Sequence, residues 1–321
     1  MNTSTITISA DGTSQSTQVT TSVTMPFPGS FLGTLLPDNA TLDAANQSVW
    51  GTEMVRQSKL SSPWLNAQTW TAEHIIVPAG QPLIPVTCGS GDSHLNQALA
   101  EGVPIPSGTV PTNDSDSALT IWQPSSGKYW ELQAAHQNLS TGAWSCNFGG
   151  RATGVNSATR LPHYVNYVTG PAGTYEASSW GTQGSGLPYW PGVISKEDLR
   201  RGHINHALLL EVYDARAGGH VWPASRGDGG AGSTNPAYSI LEGQRARLAP
   251  GYQTPAGADS LEAMIVDAWS RYGLIITDRT LSGLSMRAAP SCGLGNRSLN
   301  LPWQDLKLLA VGSDTTQTPV S

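Results

Sequence analysis

The chain has 321 residues, of which 12% are charged and 38% hydrophobic, with 35 Gly, 22 Pro and a net charge of −6 at pH 7. A charged fraction well below the roughly 25% of ordinary soluble domains, filled in by Ser, Thr, Asn, Gln, Gly and Pro, points to many short strands joined by turns. The acidic balance and the scarcity of lysine (Lys59, Lys128, Lys196 and Lys307) argue against a nucleic-acid partner, because no basic run exists to displace counterions from a phosphate backbone.

The first residues, M-N-T-S-T-I-T-I-S-A-D-G-T-S, have neither the basic start nor the apolar stretch of a signal peptide. The expectation is a protein that stays inside the cell or leaves by another route, as a virion component does on lysis. No apolar run approaches the roughly 20 residues that span a bilayer, so no membrane insertion is expected. Residues 1–24 alternate polar and β-branched residues in two strand-like pieces, T-I-T-I-S and T-Q-V-T-T-S-V-T. Neither has the apolar area to fold alone, so an arm that pairs with the main domain or a neighbouring subunit is expected. Residues 25–37 form a Pro/Gly linker, and 38–59 contain a helix-like patch, L-D-A-A-N-Q-S-V-W-G. The expected division is an assembly arm and linker over 1–60, a β-sandwich over 61–314 and a frayed tail over 315–321.

Strand signals then come quickly. Residues 118–123 alternate, P-S-S-G makes a hairpin turn, and residues 128–136 alternate again. Period-two geometry puts Tyr129, Glu131 and Gln133 on one face and Trp130, Leu132, Ala134 and His136 on the other. Residues 143–148 make a third strand with Trp144, Cys146 and Phe148 on one face. This spacing predicts an antiparallel sandwich. One helix is predicted from Ser195, with Asp198 as capping-box partner, to Gly202. A second starts at Asp259, with Glu262 three residues on. Its stripe is Leu261, Met264, Ile265, Ala268, Trp269 and Tyr272, and Gly273 ends it. The strand L-I-I-T-D follows, and residues 303–311 read as a closing strand.

Cys88, Cys146 and Cys292 lack metal-ligand spacing, so no zinc site is expected. One disulfide with one free thiol and three free thiols are both compatible with them. Eleven tryptophans either fill the core or, where exposed, mark a binding surface.

Residues 62–314 resemble a family of uncharacterised bacterial proteins, many of them secreted, with relatives among minor tail proteins of actinobacterial phages. The resemblance rests on an ordered set of motifs: S-P-W-L-N at 62–66, Y-W-E-L at 129–132, G-L-P-Y-W-P-G-V-I from Gly186, G-H-I-N-H-A-L from Gly202, V-W-P-A at 221–224, G-Q-R-A-R-L at 243–248 and A-W-S-R-Y-G-L-I-I-T-D at 268–278. The family's Asp-x-His is half kept: Asp116 is present, and Ala118 stands where a histidine is expected. The family has no established activity. The N-terminal arm and the absence of a leader suit a virion component better than a secreted enzyme.

Several residues are candidates for chemistry. His206 precedes and alternates with Leu208, Leu210 and Val212, as a core histidine with a hydrogen-bond partner or as a general acid/base would. His203 lies three residues earlier, which points it to the opposite face and disfavours a shared metal. Glu131 sits mid-strand, the placement of a glycosidase carboxylate, and Asp116 or Asp228 would be its partner across a cleft. Arg245 and Arg247, two apart on one strand face, would clamp an acidic sugar or form structural ion pairs. Trp122, Trp222 and Tyr129 complete the ligand-binding candidates. The chain has no G-x-S-x-G, P-loop or H-E-x-x-H motif, and no cofactor or metal is expected. The reading is a mainly β protein, an antiparallel jelly-roll-like β-sandwich with two flanking helices and an extended N-terminal arm. Its expected role is a homo-oligomeric, tail-associated structural or host-recognition protein that binds carbohydrate. The alternative is a polysaccharide hydrolase or lyase.

Overall fold

The computed structural model describes residues 3–10, 13–20, 26, 31–61, 63–89, 99–156, 163–165, 181–230 and 240–311, with 3–10, 13–20 and 163–165 described by backbone alone. The elements begin with β1 (Thr3–Ala10), β2 (Thr13–Thr20), α1 (Gln47–Gln57), β3 (Trp64–Asn66), β4 (His74–Ile76) and β5 (Val86–Cys88). They continue with β6 (Leu119–Gln123), β7 (Lys128–Gln133), β8 (His136–Gln137), β9 (Trp144–Cys146), β10 (Phe148–Thr153) and β11 (His163–Val165). The C-terminal part holds α2 (Lys196–Arg201), β12 (Leu208–Val212), β13 (Arg245–Arg247), α3 (Ser260–Arg271), β14 (Leu274–Arg279), β15 (Ser285–Arg287), β16 (Arg297–Ser298) and β17 (Lys307–Leu308).

The protein is mainly β. Its largest sheet runs β16-β3-β15-β12-β14-β13-β17, a second runs β11-β10-β7-β6-β4, and a third runs β5-β9-β8. The sheets are mixed, not purely antiparallel: β3 lies parallel to β15, β4 to β6, β5 to β9 and β12 to β14. Hairpin spacing reveals only the antiparallel neighbours such as β6 and β7. A parallel pair needs a long crossover, and α3 lies within the one that joins β12 to β14.

Three α-helices are present among the described residues, one more than expected. The extra one, α1, grows from the helix-like patch. Its Trp50 and Met54 are fully buried in the principal core, so this part of the expected arm packs as one body with the strands that follow. On that side of the large sheet Leu208, Leu210, Val212, Leu274 and Ile276 meet Leu261, Ile265 and Trp269 of α3. Each such side chain contributes roughly 1.5–3 kcal/mol when buried. Leu209 and Ile275 point to the opposite face, against Phe31, Leu32, Leu187 and Tyr272. A separate core joins the second and third sheets through Leu119, Ile121, Trp130 and Leu132 with Val86 and Trp144.

Both predicted capping boxes form. Ser195 and Asp198 exchange hydrogen bonds at the start of α2, and Asp259 and Glu262 do so at α3. Gly202, with φ 71°, caps α2 in the left-handed region. Three predicted strands are cut short, and the one over 143–148 ends at Cys146, with Phe148 starting β10 in the second sheet. The strand over 128–136 breaks because Ala134 takes φ 50° and donates its N–H to the Asp116 carbonyl at 2.6 Å. The chain then crosses to the third sheet, where His136 and Gln137 pair with β9. The closing strand begins late because Trp303 to Asp305 form a 3-10 turn, which sets the Trp303 ring edge-on to Trp269 at 4.9 Å. In the N-terminal arm β1 and β2 pair with each other in an antiparallel hairpin. The tail from Gly312 lies outside the described residues.

Arg245 and Arg247 point into the body of the protein. Both are buried, and their guanidinium groups donate to the last carbonyls of α3: Arg245 to Tyr272, and Arg247 to Ser270. They also reach the incoming chain, Arg245 at the Thr34 carbonyl and Arg247 at the Pro37 carbonyl at 2.7 Å. Helix-end carbonyls lack partners within the helix and carry partial negative charge, which is what a guanidinium satisfies.

Cys88 and Cys146 form a disulfide across the parallel pair β5 and β9, with Cα atoms 4.4 Å apart. Cys292 is free, and burial pushes its thiol up to about 12. Closing a loop with a sequence separation of 58 stabilises the fold by about 4 kcal/mol through the unfolded chain. Reduction, or the double change Cys88→Ser and Cys146→Ser, is expected to lower the unfolding free energy by that order in urea titrations. An unchanged midpoint under reductant would contradict the assignment.

Candidate functional site

Four neighbouring strands of the large sheet set one row of residues in register. Trp64 on β3 faces Ser285 on β15, Ser285 faces Glu211 on β12, and Glu211 faces Asp278 on β14. Register partners present their side chains on one face. Asp278 reaches that face because the β12–β14 register slips between Leu210 and Glu211, passing over Thr277. Without this bulge Asp278 would follow Leu274 and Ile276 toward the helices. One step along, Asn66 pairs with Arg287, and the Asn66 amide donates to the Ser285 hydroxyl at 2.9 Å.

This face is one wall of a groove of about 550 Å³. Trp70, Asp116 in the loop before β6, and Gln133 at the end of β7 also line it. Trp64 is 40% exposed and Trp70 44%.

Arg287 fixes the groove floor. Its guanidinium pairs with Glu211, donates to the Trp70 carbonyl at 2.8 Å and to the Gln183 side chain at 2.7 Å, and lies 4.3 Å over the Tyr189 ring. The Tyr189 hydroxyl also donates to the Trp70 carbonyl, at 2.9 Å. On the other side the Trp70 N–H donates to Asp114 at 2.6 Å. The same Asp114 carboxylate accepts the N–H groups of Asp116 at 3.0 Å and Ser117 at 3.1 Å. Trp70, Ser117 and Ala134 all have positive φ, at 58°, 41° and 50°. These are the non-glycine residues in that region among those described, and each adjoins the groove. Such backbone costs of order 1–3 kcal/mol per residue and persists where surrounding bonds over-determine it.

Two carboxyl groups line the groove with raised pKa values. Burial raises Asp116, assisted by Asp114 and opposed by Arg287 and a hydrogen bond from Gln133. Burial and then the Asp228 charge push Asp278 up to about 7, although it accepts the Gly184 N–H at 3.1 Å and the Arg279 N–H at 2.9 Å. A Cβ at Gly184 would lie 2.6 Å from Asp278 Oδ1 and 2.8 Å from Asp228 Oδ1, so the two carboxyls flank a position only glycine can fill. Behind Asp228 lies Glu242, 1% exposed. It accepts the Asp228 N–H at 3.2 Å, and burial and the Asp228 carboxyl raise it to about 10. Three crowded carboxyls cannot all ionise at neutral pH, and the cluster retains protons.

The other expected site residues lie elsewhere. Asp228 is beside Asp278, but Glu131 and His206 do not line the groove. Glu131 is 2% exposed, and its carboxylate accepts from the Tyr129 hydroxyl, the Tyr189 N–H, and the Thr182 N–H and hydroxyl at 2.7 and 3.0 Å. It stitches the segment 181–190 to β7. Burial raises its pKa against those four bonds. His206 is fully buried, with Nε2 3.3 Å from Asp198 and Nδ1 2.9 Å from the Ala207 carbonyl. Burial disfavours the Asp198 carboxylate, but the His206 charge and hydrogen bonds from His206 and Ser195 hold it well below the usual range. Tyr129 is buried, and its hydroxyl also accepts the Trp190 N–H at 3.1 Å. Trp122, 2% exposed, donates its indole N–H to Asn156. Trp222 packs edge-on to Phe31 at 5.7 Å.

Trp64, Trp70, Glu211, Asp278 and Arg287 were not singled out from sequence. Glu211, a charge closing an apolar strand, carried a readable signal. Among the described residues no cluster of three His, Cys, Asp or Glu side chains is placed to hold a metal ion. Comparison with protein-family models, with curated proteins and with solved structures gives no match to this chain.

Glu131→Ala would leave four donors in a buried space without an acceptor, and is expected to cost upward of about 3 kcal/mol in urea unfolding. A loss below about 1 kcal/mol would show that the anchor is dispensable. The carboxyl cluster gives the pH dependence its sign. Folded pKa values near 7 and 10 for Asp278 and Glu242 exceed unfolded values of about 4, so the folded state binds more protons. Stability is therefore expected to rise as pH falls from about 8 to about 5, and Asp228→Asn should flatten the slope, as read from urea midpoints at each pH.

Proposed function

We propose that the groove binds carbohydrate, and that the protein is a tail-associated component that recognises a glycan on a host surface. The observation that carries the binding reading is the pair of exposed indoles, Trp64 and Trp70, in a groove lined otherwise by amides, hydroxyls, carboxyls and two guanidinium groups, with Leu281 as its other apolar side chain among the described residues. A sugar offers an apolar C–H face and a rim of hydroxyls. Indole rings cover the first, and Asn66, Gln133, Thr69, Asn296 and Asp116 suit the second. Backbone bonds to Asp114, Tyr189 and Arg287 hold Trp70 before any ligand arrives, which lowers the ordering cost of binding. With Asp278 keeping its proton, Asp116 and Glu211 balance Arg279 and Arg287 in the lining, which suits an uncharged sugar.

The tail assignment rests on the motif resemblance from residue 62 onward. It fits the β1–β2 hairpin, since a two-stranded ribbon gains stability by packing on a further partner. In this reading the two larger sheets are the layers of a sandwich, with the groove between them. The jelly-roll winding expected from the sequence belongs to the same proposal.

Glycan-array screening followed by calorimetry tests the binding reading. Trp64→Ala and Trp70→Ala are each expected to weaken binding by about tenfold or more, the scale of a central tryptophan anchor. Wild-type protein that binds no glycan, or a double variant that binds as well as wild type, would reject it.

A further inference from the structure

We infer that the groove hydrolyses the glycan it binds, with Asp278 delivering a proton to the departing glycosidic oxygen and Asp116 activating the water that attacks the anomeric carbon. The inference deepens the binding reading and rests on it. Its geometric basis is that two carboxyls from different elements line one groove, Asp278 from β14 and Asp116 from the loop before β6, beside two stacking platforms. Neither is placed there by default. Asp278 is turned into the groove by a one-residue slip of register. Asp116 is held by the Asp114 turn and by the left-handed backbone of Ser117 and Ala134 on either side of it.

A surface that only binds sugar has no need of a carboxyl that keeps its proton. Here Asp278 stands against Asp228 across Gly184, with Glu242 behind, an arrangement that disfavours ionisation and leaves a proton available near neutrality. Crowding of this kind lowers fold stability and is characteristic of sites that move protons. Burial raises Asp116, and Arg287 and Gln133 beside it oppose that rise; a carboxylate whose proton affinity lies above the ordinary value is the stronger general base. Among the described residues the lining contains no His, Lys or Tyr, the residue types that commonly abstract a carbon-bound proton in lyases, and the carboxyl pair favours hydrolysis.

In the step, the bond from the anomeric carbon to the bridging oxygen breaks as the Asp278 proton moves to that oxygen. A water oxygen bonds to the anomeric carbon while Asp116 takes one of its protons. One water is consumed and two sugar fragments leave. Asp116 then releases its proton to solvent and Asp278 regains one. Asp228 is a positioning residue that keeps Asp278 protonated.

The test uses the full chain, a panel of neutral and amino-sugar polysaccharides, and a reducing-end assay run beside glycan-binding measurements. Wild type is expected to release reducing ends. Asp278→Asn and Asp116→Asn, checked for folding by circular dichroism, are expected to lose about a hundredfold or more of that rate while binding within a few-fold of wild type. Asp228→Asn is expected to move the basic limb of the pH–rate profile to lower pH, which a purely structural role would not do. Glycan binding without cleavage at any pH from about 4 to about 8 would overturn the catalytic inference and leave the binding reading standing. Absence of binding would reject both. Cleavage that persists in Asp278→Asn or Asp116→Asn would overturn the assignment of roles.

Discussion

The architecture depends on one buried carboxylate. Glu131 sits mid-strand in the second sheet and accepts four hydrogen bonds, three of them from the segment 181–190. That segment also contacts the large sheet, where Ser185 meets Thr277 and Gly184 meets Asp278. It therefore ties the second sheet to the large one, and Glu131 holds it in place. A charge taken out of water this completely is tolerable only when every lone pair is met. Close approach requires glycine at the entrance: a Cβ at Gly181 would come within 2.3 Å of Pro188 and 2.6 Å of the Glu131 carboxylate. A residue that resembled a catalytic carboxylate in the sequence is thus the anchor behind the groove.

The groove inherits its rigidity from that anchor. Tyr189, whose N–H Glu131 holds, lies beneath Arg287, and both fix the Trp70 carbonyl. A single chain of contacts runs from a buried carboxylate through a tyrosine and a guanidinium to an exposed indole in a disfavoured backbone conformation. Charges are graded along it. Glu131 is fully partnered inside and Glu211 is paired with Arg287, whereas Asp116 and Asp278 carry raised proton affinities in the groove.

Local structure was legible in the sequence wherever its cause is local. Ser195 with Asp198, Asp259 with Glu262, and Gly202 announced the helix ends, and the alternation around Trp130 and Trp144 announced strands. Parallel pairings, the register slip at Thr277 and the break at Ala134 were not legible, because each is decided by a partner distant in sequence. The site failed for the same reason. Period-two patterning placed Glu131 correctly on a strand face, but it does not tell whether that face meets solvent or another layer. Asp278 was hidden by the opposite error. By alternation it belongs with Leu274 and Ile276 in the core, and only the slip makes it a groove residue.

The two buried arginines on β13 have a mechanical consequence. Where the N-terminal chain enters the body, the Thr34 and Pro37 carbonyls are held by Arg245 and Arg247, and the Leu36 N–H by the Arg271 carbonyl at 2.9 Å. Tension applied through the arm meets these attachments together at the end of α3. Shared loading of this kind resists far more force than bonds opened one after another. The same guanidinium groups tie the entry point to β13, so a pull on the arm is carried into the large sheet on which the groove is built.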